Sequence, residues 1–384
     1  MKIAVIGLGY VGLPLALNLS KYYKVVGFDQ DPFLIHKLKK NHKPEKERLT
    51  VTSDYLEMKK CNFYIVCVPT PVNIDKTPNL KPLERACESI FDTANENDIV
   101  VFESTVYPGL VNSFCKSALP EYIRLGYSPE RINPGDEEHT LTKVVKVVSA
   151  NDERTLNEIN EVYSCICKTY RAPSIEVAEA AKVIENTQRD INIALMNELA
   201  IIFDRIGIDT TEVLKAASTK WNFHNYKPGL VGGHCIPVDP YYLASASKGF
   251  GYNPKIILAG RETNDSMAKF IAEKAVKLYK NAFTATIIGA SFKENITDTR
   301  NSMSYDIKDE LEQYGLHTVI CDPFVFQDRL KLDKDIIILA VPHDSIMENF
   351  YSLLNAEKNR RALIDVKGVI DQNRINKNII YWRL

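Results

Sequence analysis

The sequence predicts an α/β protein: two doubly wound, parallel-sheet domains joined by a long central helix. Three observations predict it. In the first 30 residues "KIAVIG", "LPLALNLSKY" and "KVVGFD" read as strand, helix and strand, each apolar run having the length and period of its element. From Pro173 to Gly207, some 35 residues place apolar positions at helical spacing with no internal Gly or Pro. Beyond residue 281 short β-branched runs return. The expected divisions are 1–172, 173–281 and 282–384, the last two being a helical connector and a smaller α/β domain.

Composition bounds what such a chain does. With 45% hydrophobic and 25% charged residues it has the makings of a large core and no disorder signature. Its 48 basic and 49 acidic residues leave a formal charge of -1, so nothing draws it electrostatically to nucleic acid or an anionic membrane. No apolar run approaches the roughly 18 residues that span a bilayer. The opening "MKIAVIGLGYVGLPLALNL" superficially resembles a signal peptide, but glycines break it and no small-residue cleavage site follows. The expectation is therefore a cytoplasmic protein whose eight cysteines are reduced thiols. "SCIC" (Cys165, Cys167) lacks the spacing and the histidine of a metal site, and no metal is expected.

The elements follow in order. Strands are predicted at "FYIVCVPT", "DIVVFEST", "IRLGYSP" and "VVKVVSA". Helices such as "PLERACESIFDTANE" separate some of them, which implies a parallel sheet covered on both faces. Ser174 is a candidate N-cap of the long helix and Gly207 its stop. At 1.5 Å per residue that helix reaches about 45–50 Å, a length that connects domains or builds a subunit interface, and a homodimer or higher homo-oligomer is expected. The last domain reads "TATIIGASF", "HTVICDPF", "DIIILAVPH" and "ALIDVKG" as strands, with "SYDIKDELEQYG" helical.

"GLGYVG" sets Gly7, Gly9 and Gly12 in G-x-G-x-x-G spacing, and Asp29 ends the next strand 22 residues after Gly7. Following a strand and opening a helix, this is a Rossmann-like dinucleotide fingerprint. The glycines let backbone meet pyrophosphate at a helix N-terminus, and the carboxylate takes the ribose hydroxyls. An acidic residue there favours NAD over NADP.

A second glycine-rich segment is "KPGLVGGHCIPVDPYYL", from Lys227 to Leu243. Its Cys235 reads as core thiol, metal ligand or nucleophile. A thiol in a glycine loop has backbone N–H donors about it for an oxyanion. Beside an NAD site it could add to an aldehyde, give up hydride and leave a thioester for hydrolysis. Lys182 and Asn186, four apart on the long helix, share a face and could approach Cys235 and Asp239.

At this point the chain resembles the UDP-glucose/GDP-mannose dehydrogenase family over nearly its whole length. The matching segments are "GLGYVGLPLA", "VPTP", "ESTVYPG", "YSPERINPGD", "EAAKVIENTQRDINIALMNELA", "KPGLVGGHCIPVDPYYL" and "FKENITDTRNS". "PERINPGD", "WNF" and "GLVGGHCI" look most like the branch that oxidises UDP-N-acetylhexosamines. The resemblance implies NAD-dependent, four-electron oxidation of a sugar C6 alcohol to a carboxylate, with Cys235 the nucleophile. It places Lys182, Asn186 and Asp239 about the reacting carbon and water. It makes Glu130 the acid–base residue of thioester hydrolysis and Thr105 a hydroxyl near cofactor and water. Thr70 falls on the cofactor side. Lys293 and Arg300 reach from the C-terminal, UDP-sugar-binding domain toward substrate and cofactor, and Lys367 is a looser match to a substrate-contacting cation. Arg131, Lys227 and Gly232 fall on the substrate side, and Asn133 and His224 are polar groups near the same pocket. The uronic acid would feed surface-polysaccharide synthesis.

Two departures stand out. "KLKKNHKPEKERLTVTSD" and "NSFCKSALPEYIRLGYSP" are short for the family, and Leu34 stands where a basic residue is common, with Lys37 a possible substitute. Both touch cofactor affinity rather than chemistry. Two other readings stay open: a two-electron dehydrogenase with Cys235 a bystander, and a non-catalytic NAD- or nucleotide-sugar-binding regulator. UDP-N-acetylglucosamine and UDP-N-acetylgalactosamine differ by one hydroxyl epimer, which no spacing in the chain distinguishes; UDP-glucose and an acetamidomannose are further candidates.

Overall fold

The computed structural model describes every residue except 42–47, 133–135 and 137. Asn133, part of "PERINPGD" and part of the shortened segment after the second strand lie outside the described residues.

The first half of the chain runs β1 (Lys2–Ile6), α1 (Gly12–Leu19), β2 (Lys24–Phe28), α2 (Pro32–Asn41), β3 (Leu49–Thr52), β4 (Phe63–Val66), α3 (Lys81–Phe91) and β5 (Ile99–Phe102). It continues with β6 (Arg124–Tyr127), β7 (Lys146–Ala150), α4 (Glu153–Ser164), β8 (Thr169–Arg171) and the long α5 (Ile175–Ile206). Three helices follow: α6 (Thr210–Ala217), α7 (Asp239–Gly249) and α8 (Lys255–Leu278). The rest is β9 (Thr284–Ile288), α9 (Met303–Gln313), β10 (His317–Cys321), α10 (Pro323–Phe326), β11 (Ile336–Leu339), α11 (Asp344–Ala356), β12 (Arg361–Asp365) and β13 (Ile379–Arg383).

Two compact units result. Met1–Glu185 with Tyr241–Asn253 make one, and Asn186–Pro240 with Pro254–Leu384 the other. The first holds an eight-stranded sheet in the order β3-β2-β1-β4-β5-β6-β7-β8. Every residue of β4 and β5 is buried, as expected of strands with helices on both faces. Each Val, Ile or Phe so buried contributes on the order of 1.5–3 kcal/mol. The sheet is not wholly parallel: β7 pairs with β6 antiparallel before β8 resumes the parallel sense. Short apolar runs carry no sign of their direction, which explains the difference from a uniformly parallel expectation.

The second unit holds a parallel five-stranded sheet, β10-β9-β11-β12-β13. Its β11 and β12 are buried throughout. In both sheets the strand order reverses beside the first strand, at β1/β4 and at β9/β11. Ligand crevices form at such switch points, outside the carboxyl ends of the strands.

The long helix matches its sequence signals. The Ser174 hydroxyl accepts the Val177 N–H at 3.3 Å. Gly207 ends the helix at φ +75°, a conformation that suits glycine. Among the described residues no helix is long and apolar enough to cross a membrane, and none of the eight cysteines is in a disulfide.

Candidate active site

The glycine loop leaves β1 at the first unit's switch point. Gly7 adopts φ +90° and a Cβ there would meet the Cys67 carbonyl oxygen at 2.9 Å. A Cβ on Gly12 would lie 1.8 Å from the Gly7 oxygen, whereas one on Gly9 would meet nothing within 4 Å. Two glycines therefore serve the turn and the third leaves backbone open to a ligand. Asp29, just past β2, accepts the Leu8 N–H at 2.8 Å, tying strand end to loop. A cleft of about 160 Å³ between Gly7, Phe28, Asp29, Val68, Pro69 and Arg85 continues from it. The residues present fit a dinucleotide: loop N–H groups for pyrophosphate, a carboxylate for ribose and a cleft for the base. Thr70 and Thr105 follow the carboxyl ends of β4 and β5, both half-buried. Leu34 packs partly buried against the core, and Lys37 is exposed on α2.

Glu130 lies in the loop after β6 and is buried. Its Oε1 accepts the N–H groups of Arg131 (2.7 Å) and Ile132 (2.5 Å). Burial alone would raise its proton affinity, but the Lys146 ammonium, those two N–H groups and Lys182 outweigh burial and hold it below the usual carboxylate range. Lys182, solvated in most helices of this type, is here only 8% exposed. Arg131 makes no side-chain pair with its neighbour; it binds Glu185 at 2.7 Å and the Val145 carbonyl oxygen at 2.7 Å.

In the second unit, Asn186 donates from Nδ2 to Asp239 Oδ2 at 2.5 Å, and Asp239 is 1% exposed at the start of α7. The Cys235 carbonyl oxygen accepts the N–H groups of Val238 (3.0 Å) and Asp239 (2.9 Å). That turn sets the thiol-bearing residue four positions before a buried carboxylate. The loop leading in is pinned twice. Asn197 on α5 pairs with both backbone groups of Gly229, at 2.8 and 3.0 Å, and Gly233 exchanges bonds with Asn301 at 3.2 and 3.1 Å. A Cβ on Gly232 would meet the Asn301 oxygen at 2.7 Å, so its glycine serves close packing. Lys227 and His224 are exposed.

Lys293 and Arg300 lie in the loop after β9, and Lys367 in the loop after β12. All three thus follow the carboxyl ends of their strands. Arg300 grips Asp298 through Nε (2.9 and 3.1 Å) and Nη2 (2.5 Å), and Lys367 pairs with Glu294 at 3.1 Å. Among the described residues no cluster of His, Cys, Asp or Glu could hold a metal ion.

Sequence reasoning missed Glu103 and Lys146. Lys146 Nζ lies 2.6 Å from Glu103 and 3.5 Å from Glu130, at the start of β7. The available signal was a lysine inside a strand-like run, where a buried charge demands a partner.

The comparisons agree along the chain. Residues 1–167 match the NAD binding domain of the UDP-glucose/GDP-mannose dehydrogenase family, 176–266 its central domain and 286–372 its UDP binding domain. Protein CapL of Staphylococcus aureus is 44% identical over 100% of this chain and 99% of its own. The UDP-N-acetyl-D-glucosamine 6-dehydrogenase of Salmonella typhi is 44% identical over 96% of each. The structure of a UDP-D-ManNAc dehydrogenase from Pyrococcus horikoshii superposes with a TM-score of 0.90 at 27% identity, covering 100% of this chain and 99% of that one. With the glycine cradle and the cysteine loop both in place, the chain belongs to the UDP-glucose/GDP-mannose dehydrogenase family and is an NAD-dependent nucleotide-sugar 6-dehydrogenase.

Proposed function

We propose that the protein oxidises the C6 hydroxyl of a UDP-N-acetylhexosamine, UDP-N-acetyl-D-glucosamine first among them, to the uronic acid in two two-electron steps through Cys235. The observation that carries this reading is the turn in which the Cys235 carbonyl holds the Asp239 N–H while Asn186 holds the Asp239 carboxylate. The names and identities of the curated relatives support the choice of sugar.

The alcohol loses a proton and a hydride to become an aldehyde. The Cys235 thiolate adds to that aldehyde, and the adduct loses a second hydride to leave a thioester. Water then releases the carboxylate and the free thiol. Bound NAD+ supplies hydride acceptance, once for each oxidation. Lys182 and Asn186 stabilise negative charge on oxygen, Asp239 orients Asn186, and Thr105 and Glu130 handle the hydrolytic water. The low proton affinity of Glu130 supports a base ready at neutral pH. Gly7, Gly9, Gly12, Asp29, Thr70, Thr105 and Arg300 take the cofactor. Glu130, Arg131, Lys182, Asn186, Lys227, Gly232, Lys293 and Lys367 take the substrate. The division into 1–172, 173–281 and 282–384 assigns the cofactor to the first segment, the thiol to the second and the nucleotide to the third.

Eight cysteines outside any disulfide support a reducing, cytoplasmic setting. The active form is a homodimer that covers the apolar stripe of α5.

Turnover tests the chemistry. Two NADH should form per uronic acid, and Cys235→Ala should lose net turnover by about 10³-fold or more, as expected for a removed nucleophile. One NADH per sugar, or full activity without the thiol, would overturn the mechanism. A panel of UDP-N-acetylglucosamine, UDP-N-acetylgalactosamine, UDP-N-acetylmannosamine, UDP-glucose and GDP-mannose, scored by kcat/KM, tests the sugar; a higher value for UDP-N-acetylmannosamine, UDP-glucose or GDP-mannose than for the first two overturns that part.

A further inference from the structure

Beneath Glu130 the first unit buries a cluster the chemistry above does not use. Lys146 enters from β7 with its side chain 1% exposed, against a Glu103 that is fully buried past β5. Its ammonium touches Glu103 Oε2 at 2.6 Å, the Pro129 carbonyl oxygen at 3.3 Å and Glu130 Oε2 at 3.5 Å. Tyr163 of α4 donates its hydroxyl to the other Glu103 oxygen, and its ring lies 5.5 Å from the same ammonium. Cys67, past β4, feels both carboxylates and the ammonium. Lys182 of α5 also faces Glu130, and the Arg131 and Ile132 N–H groups hold its Oε1.

Glu130 thus has one oxygen fixed by backbone and the other by Lys146. An isolated ammonium at this depth would lose its proton, since burial penalises charge; Glu103 and Glu130 reverse that and hold it protonated. A purely structural ion pair would be complete with Glu103 alone. The third contact goes instead to the residue read above as the hydrolytic base.

We infer that Lys146 is a positioning residue for the reaction: clamped by Glu103, it orients Glu130 and fixes its charge. The inference rests on the proposed role of Glu130. It predicts an effect on the pH profile, because a base that loses its cation binds its proton more tightly. The acid limb of kcat then moves to higher pH.

Three variants test it, each checked for fold by thermal unfolding and NAD+ binding. Glu103→Gln/Lys146→Met removes both charges together and so strands neither. Its acid limb should rise by about one pH unit or more, so that kcat falls toward about 10-fold below the wild type on that limb while kcat at pH 8 and KM for the UDP-sugar stay within about twofold. Lys146→Arg keeps the charge and should keep the wild-type limb. Glu103→Gln alone leaves Lys146 to Glu130 and should move the limb the opposite way, to lower pH. An unchanged limb in the double variant, or an equal loss of rate at every pH, overturns the role of Lys146. Should the double variant not fold, an unmoved or raised limb in Glu103→Gln overturns it instead. Glu130→Gln separates the two readings: full turnover there sinks the base assignment and the inference together. A crippled Glu130→Gln beside an unmoved limb in the double variant sinks the inference alone.

Discussion

A methyl group on Gly12 would sit 1.8 Å from the Gly7 carbonyl oxygen, and no rotamer relieves a clash between Cβ and backbone. Gly9, three residues earlier, would place its Cβ against no protein atom within 4 Å. Gly12→Ala should therefore lower stability, on the order of 1–3 kcal/mol as for overpacking, together with NAD+ affinity. Gly9→Ala should melt like the wild type yet bind NAD+ at least 10-fold more weakly. Thermal unfolding beside an NAD+ titration checks both. Wild-type NAD+ affinity in Gly9→Ala would deny that the pyrophosphate meets that backbone. The glycine pattern was legible because each glycine answers a local need. Lys146 was not, because its partners Glu103 and Glu130 lie 43 and 16 residues away and only the sheet brings them together.

Helix α5 carries a further titrating group on its buried side. Glu179 accepts the N–H groups of Gly109 (2.5 Å) and Val111 (2.9 Å). Burial dominates those bonds and pushes the carboxyl up from 4.5 to about 7. A carboxyl that holds its proton more tightly when folded contributes stability that is fully present below the unfolded value and lost as pH rises through the folded one. Between about pH 4.5 and 7 the wild type should thus lose stability relative to Glu179→Gln, by an amount on the order of 3 kcal/mol. Denaturant unfolding across that window checks it; parallel curves for the two proteins would overturn the burial argument. The helix itself was legible because Ser174 and Gly207 mark its ends. Strands β3, β8 and β13 escaped reading: "LTVT" and "TYR" in the first two mix polar with apolar residues, unlike the wholly apolar runs of β4, β5 and β11. The antiparallel turn of β7 escaped because pairing direction is a property of neighbours, not of one strand.

Across the whole molecule the two sheets were readable from alternating apolar runs, but what covers α5 needed coordinates. Val177, Ile184, Leu195, Ile202 and Ile206 are each 44–61% exposed, and at 3.6 residues per turn they fall within about 40° of one another. On the opposite side of the helix lie Glu179, Lys182, Asp190 and Asn197, all buried, with Asn186 in the same row. Apolar Val183, Ala194 and Ala200 are buried beside them, so what sets this helix apart from one that faces water is the apolar row it leaves exposed. Its inner polar residues have partners inside the fold: Glu179 takes the Gly109 and Val111 N–H groups, Asp190 pairs with Arg261, and Asn197 pins Gly229. Its exposed apolar row, interrupted by Gln188, has no such reason in a lone chain, and an exposed apolar row of this length marks an interface. A self-complementary stripe on a two-fold axis is met by its own copy. Sedimentation velocity should therefore find the wild type dimeric at micromolar concentration. Ile202→Asp sets a charge in the stripe, where burial without a partner is costly, and should weaken dimerisation about 100-fold or more. A wild type that sediments as a monomer, or an Ile202→Asp chain that dimerises as tightly as the wild type, would put the interface elsewhere.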